Sequence, residues 1–130
     1  MQKRFADIPS VQHYVNGVLA LEAIRERYPN AGPVRVRERR GQGKAHYEPS
    51  TATVAIPMEN RAFGRESTVL HELAHHLSVS EGLPATRSGT RWHGVEFRNA
   101  MTFLVSIVLG EPAALLLRAG YHSVGLRRSG

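Results

Sequence analysis

Between Arg65 and Val79, apolar residues at Val69, Leu70, Leu73, Ala74 and Leu77 share their turns with His71, Glu72, His75 and His76. Apolar positions three and four apart predict a helix with one buried face. Glu66 near its start suits the helix dipole, and Ser80-Glu-Gly82-Leu-Pro84 ends it. Imidazoles and a carboxylate beside a buried stripe are costly unless a metal or a hydrogen-bond partner satisfies them. The rest of the chain therefore has to build a core around a polar site.

The flanking segments supply the other elements. From Ile8 to Tyr28 the apolar residues fall mostly three or four apart, with Ser10 as the N-cap and Pro29-Asn30-Ala-Gly-Pro33 as the stop, which predicts one amphipathic helix. Val34 to Arg39 alternates apolar and charged residues in the period of a half-exposed strand. Ala45 to Glu48 and the β-branched run Thr51 to Ile56 follow after turns, predicting a meander of three short strands. Beyond the central helix, two more are predicted, roughly Gly94 to Leu109 and Glu111 to Ala119, split by Gly110 and Pro112. Residues 121–130 read as a flexible basic tail. The order helix, strands, then three helices is a segregated α+β arrangement within one domain spanning residues 1–130.

Composition narrows the chemistry. The 130 residues include no cysteine, so neither a disulfide framework nor a thiolate metal site is available, and a metal must be held by His, Asp or Glu. No apolar run approaches the roughly 20 residues of a membrane span, and the N-terminus has no continuous apolar signal region. A soluble cytoplasmic protein is the expectation. Formal net charge is +6, with basic clusters at Arg35, Arg37, Arg39, Arg40 and Lys44 and at Arg118, Arg127 and Arg128. Such a surface favours encounter with nucleic acid or acidic partners, or it only keeps the protein soluble.

On a helix, residues four apart share a face, so His71 and His75 can present two imidazole nitrogens to one tetrahedral zinc. Glu72 is rotated by roughly 100° and can reach a water activated there, as the general base of a hydrolase. A catalytic zinc ordinarily takes a third protein ligand. His93, which opens the next helix in Trp92-His-Gly-Val-Glu-Phe97, is the stronger candidate, and Glu96, on the same face one turn on, is its rival. Otherwise Glu96 accepts a hydrogen bond from a ligand or serves as the helix N-terminal carboxylate. His76 points away from His75 and is expected to be solvated or to support the site from outside. His13, His46 and His122 lie outside any ligand spacing. Tyr47 and Tyr121 are expected to pack, with stabilisation of an oxyanion as the alternative, and Trp92 is expected to anchor the core.

The pattern His71-Glu-Leu-Ala-His75, a loop, then His93-Gly-Val-Glu-Phe97 resembles the SprT-like and Spartan-like minimal metallopeptidases, whose signature is an HExxH helix followed by His-Gly-x-x-Phe. The span from about Phe5 to Leu126, with Val34-Arg-Val-Arg-Glu-Arg-Arg-Gly41 and Ala45-His-Tyr-Glu48, is similar to a family of small metallohydrolases from actinobacteria and their phages. The resemblance implies one Zn2+ per chain on His71, His75 and His93, with Glu72 as base. It also implies a minimal zincin fold whose edge strand, expected at Thr51 to Ile56, borders the cleft and adds an extended protein or peptide substrate. The chain departs from Spartan-like proteins in lacking a cysteine zinc ribbon. Against the peptidase stand a nucleic-acid-associated module with a structural zinc and a protein-interaction module that keeps a zincin fold.

Overall fold

A computed structural model describes residues 5–41, 43–59, 65–81 and 94–128, with the side chains of 121–128 excepted. The chain is α+β, and its described residues form five α-helices and one three-stranded sheet. Helix α1 runs Ile8–Ala20 and α2 Glu22–Arg27. The predicted single helix is thus two, separated at Leu21, whose extended backbone (φ −63°, ψ 136°) breaks the ladder. Its N-cap is Asp7 and not Ser10. The Asp7 carboxylate accepts the Ser10 N–H at 2.9 Å, and Pro9 fits a first turn that has no use for its missing donor.

The strands are β1 (Arg35–Glu38), β2 (His46–Glu48) and β3 (Thr53–Ile56), in the spatial order β1-β3-β2. They do not form the predicted meander: β3 pairs parallel with β1 and antiparallel with β2. Nor is Thr51 to Ile56 the edge strand. Every residue of β3 is buried, as a central strand requires, whereas β1 and β2 alternate buried and accessible positions as edges do. A 3-10 turn over Pro49–Thr51 and a left-handed Ala52 (φ 49°) close the tight connection from β2 to β3. Val36, Val54 and Tyr47 lie side by side in register and point together into the core.

Gln12 of α1 closes the outer edge of β1. Its side-chain amide donates to Val34 O at 2.9 Å and accepts the Val36 N–H at 2.7 Å, standing in for a neighbouring strand. Helix α3 (Glu66–Ser80) packs between the sheet and α4 (Val95–Val108) and also touches α1. It is enclosed more completely than one apolar stripe implies, since Glu66, Glu72, His75, His76 and Ser78 are buried along with the aliphatic residues. Helix α5 (Glu111–Arg128) returns along α4 and continues well past Ala119, where the sequence predicted its end. Gly120 and Gly125 each cost about 1 kcal/mol of helix propensity, which weakens a helix without ending it.

Candidate active site

Helix α3 supplies the centre. At roughly 100° per residue, His71 and His75 share one sector of the helix and Glu72 and His76 share the next. The first sector faces α4. The imidazole centroids of His71 and His75 are 5.2 Å apart, and Phe97 of α4 sits against both, 4.8 Å from His71 and stacked on His75 at 4.4 Å with 29° between the rings. His75 is 1% exposed and His71 half-buried, so one ring is fixed from all sides while the other keeps access to solvent. The role of Phe97 in clamping both imidazoles was missed in the sequence, although its place four residues after His93 was visible.

The second sector faces the sheet. His76 is buried and spans two elements, with its Nε2 2.7 Å from Gly32 O and its Nδ1 2.8 Å from the Tyr47 hydroxyl. A carbonyl can only accept, so Nε2 carries the proton and Nδ1 accepts from Tyr47. Both ring nitrogens are engaged, and desolvation lowers the His76 pKa, which keeps the ring neutral. His76 is therefore neither solvated nor a metal ligand; it ties α3 to β2 and to the turn before β1. Tyr47, 2% exposed, is its partner, and burial pushes the phenol up to about 12.

Glu72 lies between these two anchors and is 6% exposed. Burial pushes its carboxyl up to about 7. A carboxyl in that range could exchange a proton near neutral pH. At the start of α3, the buried Glu66 accepts the hydroxyl of Tyr14 and links α1 to the helix that carries the site, a role beyond the dipole effect expected of it.

His71 and His75 are two nitrogen donors of a kind that could hold zinc together with a third ligand. With metal–nitrogen bonds of about 2.0–2.1 Å and tetrahedral angles, two imidazoles on one zinc have centroids about 5 Å apart, which matches the His71–His75 spacing. Among the described residues no three His, Asp or Glu side chains gather into a metal-holding group, and the half-buried Glu96 in the first turn of α4 does not complete one with the histidine pair. His93 and Trp92 lie outside the described residues, as do the side chains of Tyr121 and His122. His13 is exposed on α1, and His46 is 2.8 Å from Glu48 on the far face of the sheet. No helix among the described residues is long and apolar enough to cross a membrane. No protein-family model matches the chain, and neither a curated protein nor a solved structure matches it.

Proposed function

We propose that this chain is a zinc-dependent metallopeptidase with a minimal zincin fold, related to the SprT-like and Spartan-like enzymes, in which His71, His75 and His93 hold one Zn2+ and Glu72 is the general base. The observation that carries it is the His71–His75 pair, with ring centroids 5.2 Å apart and packed against Phe97, beside the buried carboxyl of Glu72 in the adjoining sector. Zinc bound there supplies Lewis acidity, polarising the scissile carbonyl and acidifying water. Glu72 takes a proton from the attacking water as its oxygen bonds to the carbonyl carbon, and returns it to the departing amine nitrogen as the C–N bond breaks. Phe97 holds both imidazoles in place, and the His76–Tyr47 bond fixes the rotation of α3 relative to the sheet.

Substrate geometry follows from the strand order. With Gln12 on the outer edge of β1 and β3 in the middle, the edge left among the described residues for an extended peptide is that of β2, whose Tyr47 already reaches α3. The test is digestion of a peptide library by zinc-loaded protein, read by mass spectrometry. Wild type cleaves, and Glu72→Gln retains zinc while losing a factor of about 10²–10⁴ in rate. Equal cleavage by the two proteins contradicts the role of Glu72. In parallel, His93→Ala releases zinc and Glu96→Ala does not; the reverse result moves the third ligand to Glu96.

A further inference from the structure

Helix α5 has two apolar faces, and the core beside α4 takes up one of them. Ala113, Ala114 and Leu117 pack inward. The opposite side carries Pro112, Leu115, Leu116 and Ala119, spaced i, i+3, i+4, i+7 as one continuous stripe, and all four are exposed. Leu115 and Leu116, at 63% and 76%, are the most exposed large apolar side chains among the described residues. A helix packed on one side ordinarily turns polar residues outward, and one that is apolar all round is buried. From Pro112 to Leu117 no polar residue interrupts α5.

The charges beside the stripe repeat its symmetry. Glu111 and Arg118 are seven residues apart and share one edge of it, where they pair at 3.1 Å with both side chains exposed. Turned end for end about the midpoint of Leu115 and Leu116, a second α5 sets leucine on leucine and Ala119 opposite Pro112. The same rotation keeps the charged edges on one side. It brings Arg118 of the partner subunit within about 3 Å, along the axis, of the position opposite Glu111, which a long side chain spans. Ala119 and Gly120, with little or no side chain, let the helix axes come close at both ends of the contact.

We propose that two copies of this chain pair through α5, antiparallel about a twofold axis between Leu115 and Leu116. A twofold interface has to be self-complementary, each contact occurring twice with the roles of the copies exchanged. This face meets that condition in its apolar and its charged positions alike. A lipid surface would bury the same leucines, but helices that lie on membranes flank their apolar stripe with basic residues, and here one flank begins with Glu111. His71, Glu72 and His75 lie on α3, outside the paired face, so the dimer and the hydrolase reading stand or fall separately.

The test is sedimentation velocity on the full chain from about 1 to 100 µM, over which wild type is expected to pass from monomer to dimer. Leu116→Asp, at an exposed position, is expected to weaken dimerisation by at least about 10-fold. Glu111→Arg and Arg118→Glu each set like charges across the twofold axis, and each alone is expected to weaken pairing several-fold. Mixed in equal amounts, the two charge variants restore opposite charges in both pairs and should associate with each other about as tightly as wild type. Circular dichroism melts establish that every variant folds. A dimer indifferent to Leu116→Asp, or charge variants that gain nothing on mixing, would overturn the proposal. So would wild type that stays monomeric throughout, including one that instead sediments with phosphatidylglycerol vesicles and so gives the face to a membrane.

Discussion

Gln12 accepts the outward N–H of Val36 at 2.7 Å while its amide nitrogen donates to Val34 O, so a side chain from α1 satisfies an edge that would otherwise recruit a strand. Val34 and Val36 are 4% and 6% exposed, which leaves water a poor substitute. Gln12→Ala should therefore lower unfolding free energy by about 1–3 kcal/mol, the cost of unsatisfied buried backbone groups. Urea denaturation checks this, and an unchanged midpoint means the bridge contributes nothing.

The buried Tyr47–His76 pair separates architecture from chemistry on one helix. Tyr47→Phe removes the donor to His76 Nδ1 and should cost about 1–3 kcal/mol of stability. Zinc content should stay at that of wild type, because His76 already has both nitrogens engaged within the protein. Loss of metal from folded Tyr47→Phe protein would mean that the metal site depends on this bond to hold α3 in place.

Phe97 is predicted to act on the site through the rings it touches. Phe97→Leu keeps most of the buried volume and should cost less than about 1.5 kcal/mol of stability. Zinc affinity, measured by competition with a chelating dye, should fall by about 10-fold or more, as for other groups that orient metal ligands. Unchanged affinity would reduce Phe97 to core packing.

Acid should weaken the outer face of the sheet first. Arg37, and after it His46, hold the Glu48 carboxyl down at about 2, against an ordinary value of 4.5. A depressed carboxylate stabilises the fold above its unfolded pKa, and that contribution disappears as pH falls from about 4.5 through about 2. The pair is partly solvated, so the effect is at most about 1 kcal/mol. Glu48→Gln should remove this share of the pH dependence in urea titrations, and parallel curves for the two proteins would contradict it.

Much of the architecture was legible because periodicity reports burial. The bounds of α3 and α4 follow from apolar spacing to within a residue or two, and the three strands fall where alternation and β-branched runs place them. Their order was not legible, since pairing of β3 with β1 depends on which strand tolerates burial on both faces. The break at Leu21 is a backbone event in a continuous apolar pattern, and the Asp7 cap shows only in the hydrogen bond it accepts. At the site, residues four apart gave the His71–His75 pair, because helix geometry is local. The partners of His76, Glu66 and Gln12 come from distant elements and leave no spacing to read.

The most direct test is metal content by mass spectrometry on protein equilibrated with zinc and freed of excess. Wild type and Glu72→Gln should each hold one zinc per chain, while His71→Ala and His75→Ala should hold none, all four remaining folded by circular dichroism. A folded wild type that takes up no zinc, or histidine variants that retain it, would contradict the account.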